Sequence, residues 1–289
     1  MKKPIALILA ILLLAGCAPA VYDGPTESAW VLTSQRTTYY YPISGNETAG
    51  TTYAYDSLGN LVHVMSYEND ELLRETKSKY DDRGNEIRRV VWDHSGWFSY
   101  PEFRTSNTFD EKNRLLTAVY RNGLGIKTGT GSHTYDEEAN TVTWEGTYTS
   151  YTQYLNENGD PLRVLTVNHD NGIEMESLYE YDALGRNTRT VSYYDGALSS
   201  TLETRYDDQG RILEEVWRDA DGIIFSRNTL SYTENTQTAL DLEGYKTVIT
   251  YRPDGQMEKM EDYTPSGELE RLTEYTYSQI QIPAKEETP

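Results

Sequence analysis

Short runs of Val, Ile, Thr, Tyr and Trp alternate with polar, Gly-containing turns along most of the chain. Examples of such runs are residues 61–67, 87–92, 212–217 and 246–251. These residue types suit a pleated, half-buried surface. A turn signal recurs every 9 to 15 residues from Asp56 to about Ser278, and no stretch after residue 17 keeps a helical 3.6-residue period. The pattern predicts an all-β meander of roughly 18 to 20 short antiparallel strands.

Many of the turns share the motif Tyr-Asp-x-x-Gly. Asp at the first turn position and Gly at the fourth predict a type I turn that a residue with positive φ completes. Four intact copies place such turns at Asp56 to Gly59, Asp81 to Gly84, Asp182 to Gly185 and Asp207 to Gly210. At Asp136 the fourth position is Ala139, so this turn is expected to shift towards Asn140. The pair Asn122-Gly123 predicts a tight two-residue hairpin.

The Tyr-Asp-x-x-Gly-Asn/Arg pattern resembles the YD repeat of Rhs proteins, Tc toxin shells and teneurins over about residues 53–278. The motif aromatic residues at positions 55, 80, 109 and 135 are separated by 25, 29 and 26 residues. The resemblance implies a long strip of β-hairpins, so we expect an open curved or spiral sheet. The chain is far shorter than the shells of that family, and we therefore do not expect it to encapsulate a cargo. The strands near residues 30–41 and 271–277 are the expected edges, where self-association would occur.

The N-terminal segment predicts export and lipid attachment. Lys2 and Lys3 precede an apolar run over residues 5–15, which is too short to span a bilayer. The following Leu-Ala-Gly-Cys17 resembles a bacterial lipobox, which implies that the Cys17 thiol carries diacylglycerol and anchors the protein to the cell membrane or outer membrane. The alternative is an ordinary signal peptide with an incidental cysteine. The predicted divisions are 1–16 (lipoprotein signal peptide), 17–28 (lipidated tether), 29–280 (β-sheet domain) and 281–289 (polar tail).

The charge balance argues against several classes of partner. The chain has 46 acidic and 26 basic residues and a formal net charge of −20, which becomes −22 once Lys2 and Lys3 leave with the signal peptide. Nucleic acid is not an expected partner, because the basic surface that it requires is absent. Cys17 is the single cysteine, so no disulfide forms. Asp219 to Gly222 is an acidic turn, but it lacks the spacing of a calcium loop. We expect neither a metal nor a cofactor.

The aromatic residues supply both packing and a candidate binding segment. The chain has 25 Tyr but only 4 Phe, and many tyrosines stand just before a turn, where they can cover a sheet while their hydroxyls stay hydrated. Most are therefore expected to pack the repeat. Five aromatic residues lie off the repeat positions in one longer segment, where we predict binding of a glycan or protein ligand: Trp92, Trp97, Phe98, Tyr100 and Phe103.

Catalysis is not predicted. The four histidines, His63, His94, His133 and His169, have no metal-binding spacing, and no Gly-x-Ser-x-Gly motif is present. We predict a non-catalytic cell-envelope lipoprotein whose repeat scaffold has a surface-binding or structural role. One alternative is a glycan-active hydrolase, since the abundant carboxylates could form an acid–base pair. Another is an accessory or immunity-type partner of an Rhs-like toxin system, which the resemblance alone suggests.

Overall fold

The computed structural model describes residues 26–41, 45–96 and 99–283. The predicted signal peptide, Cys17 and most of the predicted tether lie outside the described residues, as do Trp97, Phe98 and residues 284–289 of the tail.

The described chain forms one sheet of twenty antiparallel β-strands and contains no helix. Each strand pairs with the next one along the chain, which confirms the predicted all-β meander. The strands are β1 (Thr26–Tyr39), β2 (Glu47–Tyr55), β3 (Leu61–Glu68), β4 (Glu71–Tyr80), β5 (Glu86–Asp93), β6 (Tyr100–Phe109), β7 (Leu115–Asn122), β8 (Lys127–Asp136), β9 (Thr141–Gly146), β10 (Thr149–Leu155), β11 (Pro161–Asn168), β12 (Glu174–Tyr181), β13 (Asn187–Tyr194), β14 (Ala197–Tyr206), β15 (Ile212–Asp219), β16 (Ile224–Tyr232), β17 (Thr236–Asp241), β18 (Lys246–Tyr251), β19 (Met257–Tyr263) and β20 (Leu269–Pro283).

The sheet closes into a barrel, so the expectation of an open curved or spiral sheet is wrong. The first and last strands, expected to be free edges, pair antiparallel with each other from Thr26↔Pro283 to Tyr39↔Arg271. They are also the longest strands, with 14 and 15 residues. Closure satisfies the N–H and C=O groups that two open edges would leave unpaired. The local turn pattern is the same in an open and a closed meander, which is why the sequence did not reveal closure.

Consecutive strands run in opposite directions, so the turns fall alternately at two rims. The turns after even-numbered strands form the repeat rim, which carries every intact Tyr-Asp-x-x-Gly turn. The turns after odd-numbered strands form the distal rim. Because β1 ends at the distal rim, its first residue, Thr26, lies at the repeat rim together with the end of β20.

The predicted turn chemistry is confirmed at the intact motifs. Asp207 Oδ1 accepts hydrogen bonds from the backbone N–H groups of Gln209 and Arg211, both at 2.9 Å, and Gly210 has a φ of 81°. Gly59, Gly84 and Gly185 also have positive φ. The shifted turn after β8 is confirmed by a φ of 50° at Asn140. The two-residue turn at Asn122-Gly123 is wrong, because a longer turn reaches Ile126 and its left-handed residue is Gly125.

Successive repeats interlock through a tyrosine and an arginine. The Tyr206 hydroxyl donates to the backbone oxygen of Asn187 at 2.7 Å, where the β-ladder ends. The guanidinium carbon of Arg186 lies 4.7 Å from the centre of the Tyr206 ring, and Arg186 Nε donates to Asp182 Oδ2 at 2.7 Å. In this repeat the motif Asp therefore orients an arginine that stacks on the tyrosine of the next repeat, whereas the turns at Asp56 and Asp81 bind an asparagine, Asn60 or Asn85, in its place. The same arrangement places Arg211 over Tyr232.

The sheet is a single layer with a sparse core. Backbone contacts link each strand only with its two neighbours in the ring. Among the described residues, the buried hydrophobic side chains are those of Val91, Ala118, Val191 and Val216, and most others are half-buried by cross-strand neighbours. The β-ladder and cross-strand side-chain pairs therefore carry the stability. No helix in the described ranges has the length and apolarity that a membrane span requires.

Candidate binding surface at the distal rim

The β5–β6 hairpin brings three of the five predicted binding residues together at the distal rim. Trp92 pairs with Pro101, Tyr100 pairs with Asp93, and Phe103 pairs with Val91 across the two strands. Tyr100 is 51% exposed, whereas the side chains of Trp92 and Phe103 are half-buried. A bulge between Val91 and Trp92 shifts the register and interrupts the regular ladder at this point. Trp97 and Phe98, which stand between β5 and β6 in the sequence, lie outside the described residues.

Polar contacts at the tip of this hairpin hold Tyr100 in place. Its hydroxyl donates to Asp93 Oδ2 at 3.2 Å, while Asp93 Oδ1 accepts from the backbone N–H and the hydroxyl of Ser95. The hydrogen bonds from Ser95 lower the pKa of Asp93. The negative charge of Asp93 in turn raises the pKa of Tyr100. The Tyr100 ring is therefore presented to solvent with its hydroxyl neutral and directed back to the hairpin.

A histidine–glutamate network links the same tip of the hairpin to β4. His63 Nε2 lies 2.7 Å and Lys77 Nζ 2.9 Å from Glu75 Oε1, and His94 Nε2 lies 3.7 Å from Glu75 Oε2. His94 Nδ1 is hydrogen-bonded to Ser99 Oγ at 2.6 Å. Burial raises the pKa of Glu75, but hydrogen bonds from Lys77 and His63 outweigh it and lower that pKa overall. Within the described ranges, no three His, Cys, Asp or Glu residues are arranged to hold a metal.

The neighbouring β7–β8 turn packs tightly against the same hairpin. A Cβ at Gly123 would lie 1.6 Å from the backbone oxygen of Pro101, so only glycine permits this approach. Arg104 Nη2 donates to the Gly123 oxygen at 3.3 Å. The turn then projects Leu124 and Ile126 outward, with 86% and 59% of their surface exposed.

Five exposed apolar side chains lie in these neighbouring turns and the strand ends beside them, and we call them the distal patch: Tyr100, Tyr120, Leu124, Ile126 and Tyr148. Tyr148, in the β9–β10 turn, donates its hydroxyl to the Thr128 oxygen at 2.8 Å and therefore lies beside β8. Sequence reasoning missed Tyr120, Leu124, Ile126 and Tyr148. The available signal was the presence of bulky apolar residues inside a Gly-rich turn, where polar residues are the usual choice.

The two rims differ in apolar exposure. Of the twenty large hydrophobic side chains exposed among the described residues, fourteen lie at or near the distal rim and six near the repeat rim. The distal rim is therefore the more apolar end of the sheet. Contiguous exposed apolar surface on a folded protein marks an interaction site more often than isolated residues do.

Comparison with known proteins identifies the N-terminal segment. Residues 1–18 match the family model of the prokaryotic membrane lipoprotein lipid attachment site. The chain therefore carries the attachment site of an exported, lipid-anchored protein, as predicted for Cys17. No curated protein matches the chain significantly.

Solved structures with some similarity include TcdB2-TccC3 and a porin-like protein. This chain is 12% identical to TcdB2-TccC3 without its hypervariable C-terminal region, with a TM-score of 0.37. The match covers 81% of this chain but only 14% of the TcdB2-TccC3 chain. A porin-like protein from Bacteroides uniformis is 13% identical over 86% of this chain and 98% of its own, with a TM-score of 0.31. These values are too low to assign a family or a function.

Proposed function

We propose that this protein is a non-catalytic envelope lipoprotein whose closed β-sheet presents the distal patch to a protein partner. The lipid attachment site supplies the premise of membrane anchoring. The observation that carries the proposal is that Thr26, the described residue nearest to Cys17 in the sequence, lies at the rim opposite the distal patch. This proposal keeps the predicted scaffold role and extends the predicted binding segment from the β5–β6 hairpin to its neighbours.

The anchored end orients the sheet relative to the membrane. β1 begins at the repeat rim with Thr26, nine residues after Cys17. Nine residues span at most about 30 Å when fully extended. The repeat rim therefore faces the membrane, and the strands carry the distal patch away from it. A partner in the aqueous compartment reaches the distal patch without contacting lipid.

The composition of the distal patch favours a protein partner over a glycan. Leu124 and Ile126 project aliphatic side chains that have no hydrogen-bonding groups. They would leave the hydroxyls of a polyhydroxylated ligand without partners. The distal patch also contains three exposed tyrosines, and aromatic residues are enriched at the centres of protein–protein interfaces. The ladder and the Gly123–Pro101 contact hold the surface rigid, so little conformational entropy is lost on binding.

Site-specific photo-crosslinking in the native cell tests the proposal. A photoreactive amino acid at Leu124, Ile126 or Tyr148 should give an adduct with the same protein at all three positions. Leu184 is the matched control, because it is 76% exposed and apolar but lies at the repeat rim. The proposal is wrong if no protein adduct forms, or if Leu184 gives the same adduct with equal yield.

Substitution of the same surface provides an independent measurement. With the crosslinked partner purified, Leu124→Asp together with Ile126→Asp should weaken binding at least tenfold, whereas Leu184→Asp should not. The prediction that Trp97 contributes to glycan binding is tested separately on a glycan panel. Glycan binding that Trp97→Ala abolishes would favour a glycan, and not a protein, as the ligand of this rim.

A further inference from the structure

A cleft of about 900 Å³ opens at the repeat rim, away from the distal patch. It lies between the turns that follow β14, β16 and β18. Its lining includes two tyrosines, two arginines and the apolar side chains between them: Ile212, Leu230, Tyr232, Tyr251, Arg211 and Arg252. We call it the rim cleft.

The rim cleft exists because one repeat is interrupted. The turn after β16 contains three residues, 233–235, whereas the turns on either side contain five, 207–211 and 252–256. Thr233 stands where the motif has Asp, and a short turn forms with Thr233 N–H donating to the Thr236 oxygen at 2.9 Å. Because the three-residue turn projects less far than the five-residue turns on either side, it leaves a gap in the rim, and this gap is the cleft.

The interruption also leaves a tyrosine ring without its usual cation. In the preceding repeat, the Arg211 guanidinium carbon lies 4.4 Å from the centre of the Tyr232 ring. The residue that would stack on Tyr251 in the same way is Gln237, whose side-chain oxygen instead accepts a hydrogen bond from the Tyr251 hydroxyl at 3.3 Å. Arg252 turns away to lie 5.0 Å from the Trp30 ring. No cation among the described residues covers the Tyr251 ring, which lines the cleft.

The two arginines of the rim cleft are paired within the protein, whereas Glu234, an exposed residue of the short turn, has no ion pair among the described residues. Arg211 Nε donates to Asp207 Oδ2 at 2.7 Å, and Arg252 Nη2 lies 3.1 Å from Asp254 Oδ2. An ionic ligand would therefore meet no unpaired countercharge from either arginine. The exposed turn adds the amide side chain of Asn235, which can donate and accept hydrogen bonds.

We infer that the rim cleft binds an uncharged saccharide. An aromatic ring offers its negative face to the partly positive C–H groups of a sugar ring, and Tyr251 supplies such a face. Amide, hydroxyl and guanidinium groups around it match the hydroxyls of the sugar, and the volume is that of a small-molecule site. The site is distinct from the distal patch and faces the membrane side of the molecule.

The test measures binding of the full mature lipidated protein, in detergent micelles, to a panel of neutral oligosaccharides that includes maltotetraose and chitotetraose. A galacturonic acid tetramer and a glucosamine tetramer are the acidic and basic comparisons. We expect binding of at least one neutral oligosaccharide, weakened tenfold or more by Tyr251→Ala. Tyr206→Ala is the matched control, because its ring occupies the same motif position but is covered by Arg186, and it should leave the affinity within twofold.

A second variant restores the interrupted repeat without removing an aromatic ring. Gln237→Arg should place a guanidinium over Tyr251 and lower saccharide affinity at least tenfold, while the unfolding temperature stays the same or rises. Gln209→Arg makes the same change on an exposed turn position outside the lining and should bind normally. The inference is overturned if no neutral saccharide binds, if a charged tetramer binds more tightly, or if Gln237→Arg binds as well as the wild type.

Discussion

Gly131 in β8 offers a sharp test of how this single-layer sheet is packed. Its missing side chain makes room for the Trp144 indole on β9, because an added Cβ would lie 1.9 Å from Trp144 Cζ2. The same indole covers Gly146, where an added Cβ would be 2.6 Å from Nε1. The other side of the indole packs against His133, with ring centres 4.6 Å apart. Gly131→Ala must therefore displace the whole aromatic cluster.

The expected cost follows from the severity of this overlap. Introducing a methyl group into a well-packed site costs about 1–3 kcal/mol. For a protein of this size class each kcal/mol lowers the Tm by about 2–4 °C, so Gly131→Ala should lower it by about 2–12 °C. Gly50→Ala is the matched control in β2. There the nearest atom to an added Cβ is the Gln35 oxygen at 3.7 Å, an ordinary contact, and the effect should be neutral or stabilising by about 0.4–1 kcal/mol.

Thermal unfolding followed by far-ultraviolet circular dichroism measures both variants, and the near-ultraviolet spectrum reports the tryptophan environment. The expected result is a lowered Tm and an altered aromatic spectrum for Gly131→Ala alone. A Gly131→Ala protein with the wild-type Tm and spectrum would refute the packing of Trp144 on Gly131. Equal losses in Gly131→Ala and Gly50→Ala would show instead that β-strand glycines in this sheet are sensitive for another reason.

Three further predictions concern the repeat and the anchor. Tyr206→Phe should cost about 1 kcal/mol in urea unfolding, because the Asn187 oxygen loses its donor, whereas Tyr154→Phe, at a motif position without such a bond, should be neutral. The hydrogen bond from Arg186 lowers the pKa of Asp182. The stabilisation that this bond provides is therefore present above the unfolded pKa of about 3.9 and is lost as the pH falls through the lower folded pKa. Unfolding midpoints measured across pH should show that the stability difference between the wild type and Asp182→Asn shrinks below about pH 4. Cys17→Ser should leave the protein unprocessed or release it from the membrane fraction, and unchanged fractionation would contradict lipid attachment.

Local features of this fold were predictable because each depends on residues within about five positions. An Asp carboxylate, the N–H groups that it accepts from and a glycine with positive φ form each repeat turn, as at Asp207 to Gly210. The alternation of such turns with β-forming runs predicted a meander of roughly 18 to 20 strands, and the structure has twenty. The lipid attachment motif is equally local and lies within residues 1–18.

The candidate sites were only partly predictable for the same reason. The β5–β6 hairpin was found because its aromatic residues depart from the repeat in sequence. Leu124 and Tyr148 join it through pairing of neighbouring strands, which no local pattern reveals. The cleft above Tyr251 depends on turn heights in three separate hairpins. The interruption at Thr233 was visible in the sequence, but its consequence as a cavity was not.

The sequence by itself determined the strands, the turns and the attachment of lipid, because hydrogen bonds and sterics between near neighbours specify them. Only the tertiary structure decided that the sheet closes, and therefore which turns share a rim. Closure joins residues as distant as Thr33 and Thr276, whose hydrogen bond spans 243 positions. Its geometry depends on twist and curvature accumulated over twenty strands. That accumulated curvature pairs β1 with β20 and places the apolar turns of the distal rim opposite the rim at which Thr26 begins β1.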